Sequence, residues 1–235
     1  MEDGEIVIAG ALVYLLVFLI MKSSEGPSVI LMIGDSITQQ AANPAVLGFQ
    51  AQLSQDYIRR VDVINRGMSG WTTKNWISKL PKLVKEWKYS PVLLVMIYLG
   101  TNDAALSNNT QYVPLQDYAG NLQSMVQTLK SSFLETNFIF ITPAAVNDEA
   151  PQWIGYRKNA RTKLYVDQCK SLAAQLHIPV IDLWTPTQGK QKEFLIDGLH
   201  LSTPGNVFVY QQIVAAIKSN YPTLTNDSLP LNFNL

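Results

Sequence analysis

The chain has 235 residues, enough for one α/β domain with a sizeable buried core. Acidic and basic residues balance at 18 each, and no cluster of lysine or arginine with interleaved aromatic residues is evident, so the sequence argues against a nucleic-acid partner. The single cysteine, Cys169, excludes an intramolecular disulfide and lies in a helix-like run, which favours a small buried apolar residue over a catalytic thiol.

Residues 6–21 form an apolar run without charge. As a helix this run would extend about 24 Å, slightly less than the ~30 Å hydrocarbon core of a bilayer. A cleaved signal peptide is disfavoured because acidic residues precede the run and a poor cleavage site follows it, and a buried helix seldom lacks a polar face. We therefore expect an N-terminal region 1–26 with a membrane anchor at 6–21, followed by a catalytic domain over 27–235.

The orientation of this anchor depends on Lys22, the only basic residue close to either end of the run. By the positive-inside rule, Lys22 would keep the domain on the cytosolic or matrix-like side of the membrane. The mitochondrial inner membrane and an endomembrane are the two locations that we expect.

Beyond residue 27, short apolar segments alternate with longer amphipathic ones. Such segments predict strands at 29–33, 61–64, 92–99, 138–141 and 178–181, and helices at 46–59, 73–88, 115–132, 157–176 and 204–219. Nearly continuous apolarity is typical of parallel strands that are covered on both faces. The sequence therefore predicts a three-layer α/β/α sandwich with a parallel five-stranded sheet, in addition to the N-terminal hydrophobic helix.

Polar motifs follow the first three predicted strands. Gly34-Asp35-Ser36 follows the first, residues 65–70 follow the second, and residues 100–103 (Gly-Thr-Asn-Asp) follow the third. Because ligands of open α/β sheets bind outside the carboxyl ends of the strands, these loops are expected at one edge. The loop that holds Asp197 and His200, just before the last helix, can fold over the same edge.

Ser36 is a candidate nucleophile because it occupies a strand-to-helix turn, where the helix would offer N–H groups to a developing oxyanion. The alternative is a plain turn in which Ser36 is the helix N-cap. The Gly-x-Ser-x-Gly elbow of α/β-hydrolases is absent, since the segments that begin at Gly34 and Gly67 both lack the last glycine.

Oxyanion donors are available in the next two loops. Gly67 or Gly70 could bring a backbone N–H close to a substrate oxygen, although glycines in such loops often only permit positive φ. Asn102 could donate its side-chain amide to the same oxygen, or it could cap its loop.

Asp197 and His200 are spaced as an orienting carboxylate and a general base. The alternative is a surface turn beside an exposed histidine. The other histidine, His177, precedes a predicted strand without an acidic neighbour and is interpreted as structural. With two histidines, one cysteine and no phosphate-binding glycine loop, the sequence predicts neither a metal nor a cofactor.

The motifs at 34–38, 66–70, 100–103 and 197–205 resemble, in order, the four sequence blocks of the SGNH (GDSL-type) hydrolases, most closely the branch of isoamyl acetate-hydrolysing esterases. The resemblance covers roughly residues 28–220 and implies a serine esterase that forms an acyl-enzyme and needs no metal. Carried over by position, Ser36 is the nucleophile, His200 the base and Asp197 its orienting acid. Ser36, Gly70 and Asn102 are the implied oxyanion donors.

Two functions follow from the sequence. The leading hypothesis is a membrane-anchored serine esterase acting on small or lipid-like esters, in which Trp71, Trp76 and Tyr98 either line a substrate pocket or belong to the core. The other hypothesis is an accessory subunit of a membrane complex, docked by the N-terminal helix, with a vestigial or subsidiary site.

Overall fold

The computed structural model describes residues 26–232. Within this range, no helix is long and apolar enough to cross a membrane. The anchor predicted at 6–21 lies outside the described residues.

The centre of the fold is a sheet of five parallel strands in the order β2-β1-β3-β4-β5. The strands are β1 (Val29–Gly34), β2 (Asp62–Gly67), β3 (Val92–Tyr98), β4 (Asn137–Ile141) and β5 (Val180–Ile181). The strand order turns back at β1, which pairs with β2 on one side and β3 on the other. Such a switch point is where an open α/β sheet forms a ligand crevice.

Helices cover both faces of the sheet. They are α1 (Ser36–Gln40), α2 (Phe49–Asp56), α3 (Thr73–Trp87), α4 (Leu115–Ser132), α5 (Asn159–Leu176), α6 (Trp184–Thr187), α7 (Gln191–Phe194) and α8 (Thr203–Asn220). Short 3-10 turns occur at Pro44–Val46, Pro151–Trp153 and Pro222–Leu224.

The alternation of side chains along β1 divides the core into two layers. Val29, Leu31 and Ile33 pack against α3, α4 and α5, whereas Ile30 and Met32 pack against α2 and α8. A strand buried on both faces must be apolar at every position, which explains the unbroken apolar run. The predicted α/β/α sandwich with a parallel five-stranded sheet is confirmed.

Several boundaries differ from the prediction. Strand β2 continues to Gly67, so residues 65–67 belong to the strand and not to the following loop. The helix predicted at 46–59 is confined to α2, because Leu47 adopts a positive φ of 49° and Gly48 is the N-cap. Strand β5 begins only at Val180, since Val180 and Ile181 alone pair with β4.

Candidate active site

Ser36 is the first residue of α1 and follows the end of β1 almost directly. The N-cap of this helix is Asp35 and not Ser36: the Asp35 carboxylate accepts a hydrogen bond from the Ile37 N–H at 2.9 Å. A Cβ at Gly34 would lie 1.9 Å from Thr38 Oγ1, so only glycine permits this close turn. The turn therefore leaves the Ser36 hydroxyl free for other partners.

His200 lies between Ser36 and Asp197. Its Nε2 is 2.9 Å from Ser36 Oγ, and its Nδ1 is 2.7 Å from Asp197 Oδ2. A carboxylate only accepts hydrogen bonds, so Nδ1 carries the proton and Nε2 is left to accept from the Ser36 hydroxyl. These contacts give the geometry of a nucleophile, a base and an orienting acid, across 164 residues of sequence between Ser36 and His200.

The Asp197 carboxylate is held by its own loop. Its Oδ1 accepts from the N–H groups of Leu199 at 2.9 Å and His200 at 2.8 Å. Burial raises the pKa of Asp197, but the hydrogen bonds from the His200 side chain and from these two amides outweigh burial and leave the pKa below its usual value. Asp197 is therefore held as the ionised partner of His200.

A second segment, residues 147–153, forms hydrogen bonds with the backbone of the Asp197 loop. Trp153 Nε1 donates to the Asp197 carbonyl at 2.9 Å, and the Asn147 N–H donates to the Gly198 carbonyl at 2.9 Å. Gly198 has a φ of +88°, and a Cβ there would lie 2.4 Å from Ala150 Cβ. This segment carries no sequence motif, so its contact with the Asp197 loop is visible only in the tertiary structure.

Gly70 lies in the loop between β2 and α3 with a φ of +78°, where a Cβ would meet nothing closer than Gln111 Nε2 at 3.5 Å. Gly67 is different, because a Cβ there would lie 2.0 Å from the Gln39 N–H nitrogen of α1. Gly67 therefore permits close packing of α1 on β2. In the described part of the chain, neither the Gly70 N–H nor the Ser36 N–H has a protein acceptor.

Asn102 is buried and is oriented by an arginine that the sequence did not single out. Arg157 Nη2 donates to Asn102 Oδ1 at 3.1 Å and to Gln111 Oε1 at 2.6 Å. Gln111 in turn donates to the Gly70 carbonyl at 3.0 Å, and Asn102 Nδ2 donates to the Trp71 carbonyl at 2.9 Å. One buried guanidinium thus links the two loops that hold the implied oxyanion donors.

Residues 32–207 match the model of the GDSL-like lipase/acylhydrolase family, which covers most of the chain. The chain belongs to this family. The GDSL hydrolase described here is 36% identical over 208 residues to the human isoamyl acetate-hydrolyzing esterase 1 homolog, with 83% of each chain covered. It is also 30% identical over 213 residues to the isoamyl acetate-hydrolyzing esterase of Saccharomyces cerevisiae, covering 82% of this chain and 87% of the yeast protein.

The fold of this GDSL hydrolase is similar to the crystal structure of a lipase/acylhydrolase from Enterococcus faecalis, with a TM-score of 0.66 and 29% identity, covering 83% of this chain and 96% of that one. These comparisons confirm the resemblance to the SGNH hydrolases, and the GDSL hydrolase is a carboxylic ester hydrolase.

The remaining candidates of the GDSL hydrolase lie in its core or on its surface. Trp76 and Tyr98 are buried in the core, and Trp76 Nε1 donates to the Gly34 carbonyl at 3.0 Å. His177 is exposed at the C-terminal end of α5, and Cys169 is buried, which raises the pKa of its thiol to about 12. Among residues 26–232, no group of three or more metal-ligating side chains occurs.

Replacing Asn102 by alanine is expected to lower kcat by a factor of about 10²–10³ with little change in KM, because a donor to an oxyanion acts mainly in the transition state. Asn102→Asp keeps an acceptor for Arg157 but loses the donor, so we expect a loss at least as large. Steady-state hydrolysis of p-nitrophenyl acetate measures both. Asn108→Ala, at an exposed asparagine, is the matched control, and a normal rate for Asn102→Ala would remove Asn102 from the oxyanion site.

Arg157→Lys keeps the charge, but lysine is shorter and lacks the planar guanidinium that fixes the direction of the two Nη2 hydrogen bonds to Asn102 and Gln111. We expect kcat to fall about ten-fold, equivalent to about 1.4 kcal/mol, because Asn102 loses its fixed orientation. The same change in an Asn102→Ala background is expected to cost much less. Arg59→Lys, at an exposed arginine, controls for the substitution itself, and independent losses in the double variant would contradict a role through Asn102.

Asp35 and Asp103 are buried carboxyl groups, and they are the chain neighbours of Ser36 and Asn102. Burial raises the pKa of Asp35 to about 7, with nearby Asp103 raising it further and Arg157 opposing the rise, and burial raises the pKa of Asp103 to about 6. A carboxyl whose pKa is higher in the folded chain than in the unfolded chain stabilises the fold at low pH. This contribution is lost as pH rises through the folded pKa.

Asp35→Asn is therefore expected to remove part of the pH dependence of stability. Between pH 5 and pH 8 the free energy of unfolding of the wild type should fall, relative to Asp35→Asn, by on the order of 2–4 kcal/mol, at about 1.4 kcal/mol per pKa unit. Denaturant unfolding at the two pH values measures the difference. Asp62→Asn, at an exposed carboxylate, should follow the wild type; parallel curves for wild type and Asp35→Asn would contradict the raised pKa.

Proposed function

We propose that this GDSL hydrolase cleaves small carboxylic esters through an acyl-enzyme on Ser36. The observation that carries the proposal is the continuous contact from Ser36 Oγ through the His200 ring to Asp197. Among residues 26–232, the N–H groups of Ser36 and Gly70 have no protein acceptor, which supports an oxyanion site beside this contact. This arrangement favours an active esterase over an accessory subunit with a vestigial site.

In the proposed reaction, Ser36 Oγ attacks the ester carbonyl carbon while His200 Nε2 takes its proton. Asp197 stabilises the imidazolium that forms. The N–H groups of Ser36 and Gly70 and the Asn102 amide donate to the oxyanion. An amide nitrogen carries two hydrogens, so Asn102 can keep its bond to the Trp71 carbonyl and still donate to the substrate.

The tetrahedral intermediate then expels the alkoxide, which takes the proton from His200 and leaves as the alcohol. Water attacks the acyl-enzyme while His200 removes its proton. A second tetrahedral intermediate collapses, the carboxylic acid leaves, and Ser36 Oγ recovers its proton. No step needs a metal, since the proton transfers and the charge stabilisation are both assigned to the chain.

The volume of one cavity, about 130 Å³, supports the proposal that the substrates are small esters. Its walls include Ile37, Ile196 and Leu201, the chain neighbours of Ser36, Asp197 and His200, together with Val46. We propose that this cavity takes one alkyl arm of the ester. The names of the human and yeast relatives, which refer to isoamyl acetate, agree with an ester of this size.

A series of p-nitrophenyl esters from acetate to palmitate tests this proposal. We expect kcat/KM to be highest for the short acyl groups and to fall steeply for octanoate and palmitate. A matched series of acetate esters with longer alcohols shows which arm the cavity holds. Folded wild-type protein that hydrolyses none of these esters would overturn the proposed function.

We further propose that residues 6–21 anchor the enzyme to a membrane, with the mitochondrial inner membrane and an endomembrane as the proposed locations. The support is the length and the lack of charge of this run. Flotation of the full chain with neutral vesicles, resistant to high salt, is the expected result. Release by salt would contradict insertion of the apolar run.

A further inference from the structure

Helix α3 presents a lysine face to solvent. At about 100° per residue, five exposed lysines fall on one side of this helix and its C-cap, opposite the buried Trp76, Leu80 and Leu83. The lysine face consists of Lys74, Lys79, Lys82, Lys85 and Lys88. These lysines are three to five residues apart in the sequence, so they form no basic run there.

The charge of the lysine face is not neutralised locally. Glu86 is the only acidic residue of α3, and it pairs with Arg66. Within residues 26–232, none of the five lysines forms an ion pair. Because the whole chain has no net charge, this face is a local concentration of positive charge.

The chain enters the fold at one end of the lysine face. The Gly26 N–H donates to the Tyr89 carbonyl at 3.1 Å, directly after α3, and the Val29 N–H donates to the Pro91 carbonyl at 2.9 Å. Tyr89 is 64% exposed, and Lys88 Nζ lies 4.3 Å from the centre of its ring. Any segment upstream of Gly26 therefore leaves the domain beside Lys88 and Tyr89.

We propose that the lysine face binds the anionic headgroups of the membrane into which residues 6–21 insert. This inference rests on the anchor in the proposed function. A basic face next to an anchor acts at high local concentration, because the anchor has already brought the domain to the bilayer. Lysines near an anionic leaflet are attracted within a Debye length, and an exposed tyrosine is typical of the headgroup level.

The orientation predicted from Lys22 agrees with this surface, since the cytoplasmic leaflet is the anionic one. Helix α3 has 15 residues and is thus about 22 Å long, so contact along its length would lay the domain on its side. The strands would then run along the membrane plane, with the loop of Ser36 at one end of the footprint.

A single-cysteine probe tests the inference on the full chain. Cys169 is buried, so a cysteine introduced on the surface is the one that labels. Ser78→Cys places a fluorophore at the centre of the lysine face, and Ser219→Cys places it at an exposed position of α8, on the other side of the sheet. The readout is quenching by a headgroup-labelled lipid in phosphatidylcholine vesicles with and without phosphatidylserine.

We expect phosphatidylserine to increase quenching at position 78 at least two-fold, salt to reverse the increase, and position 219 to stay unchanged. Lys82→Glu with Lys85→Glu is expected to abolish the increase. The matched pair Lys190→Glu with Lys218→Glu, which changes the net charge equally on the other side, should retain it. Equal quenching at positions 78 and 219, or an increase that survives Lys82→Glu with Lys85→Glu, would overturn the inference.

Flotation of the same samples separates this inference from the anchor. Flotation with neutral vesicles but no response to phosphatidylserine refutes the lysine face and leaves the anchor standing. Flotation only with phosphatidylserine refutes the anchor and retains the lysine face. Flotation with neither vesicle refutes both.

Discussion

Ser36→Ala is expected to lower kcat for p-nitrophenyl acetate by on the order of 10⁴ or more, because the proposed acyl-enzyme cannot form without the Ser36 hydroxyl. The same variant should lose labelling by a fluorophosphonate probe, which reacts with activated serine hydroxyls. The fold should be unaffected, since the hydroxyl contacts His200 and the helix is capped by Asp35. Residual activity would come from the oxyanion donors alone.

The matched control is Ser69→Ala, which removes an exposed hydroxyl from the loop that also contains Gly70 but has no histidine partner. We expect normal labelling and a normal rate for Ser69→Ala. Labelling that persists in Ser36→Ala would assign the nucleophile to another residue.

Asp197→Asn is expected to lower kcat by on the order of 10³–10⁴ with little change in KM. An asparagine can keep the acceptor for the amides of Leu199 and His200, so the loop should hold its shape. Its NH₂ group would then face Nδ1 of His200 as a donor, and the ring would move its proton to Nε2. In that tautomer His200 cannot accept the proton of Ser36.

Asp182→Asn is the matched control for this experiment. Asp182 also accepts from an N–H three residues ahead, that of Thr185, and pairs with Lys170 at 2.6 Å, but its partner is a lysine and not His200. Asp182→Asn should therefore hydrolyse the ester normally. A normal rate for Asp197→Asn would remove Asp197 from the proposed reaction.

The fold was predictable where a segment is long and its environment uniform. Strand β3 is apolar throughout because both of its faces are buried, and α4 has the bounds predicted from its pattern, 115–132. The short helices α6 and α7 were not predicted, since four residues contain too little periodicity to separate a helix from a loop. Strand β5 was predicted too long for a related reason: apolar residues at 178–179 resemble a strand but do not pair as one.

The residues of the candidate site were predictable where a sequence motif lies in a loop at the carboxyl edge of the predicted sheet. Ser36, Asp197 and His200 are brought into contact as expected, and their chemical roles stay predictions until the variants are tested. Arg157 could not be found from the sequence, because it precedes a helix among polar residues and resembles a solvated arginine. Its partner Gln111 is 46 residues away, so only the tertiary fold reveals the contact.

The position of β1 in the sheet has a mechanical consequence. The chain enters the described fold through this strand, which is central and hydrogen-bonded to β2 and β3 along its whole length, and Ser36 follows two residues after its end. Tension applied upstream of Gly26 would load both rows of hydrogen bonds in shear, so they would have to break together and not one after another. Pulling on the N-terminus should thus leave the geometry of Ser36 and His200 intact until the sheet itself ruptures.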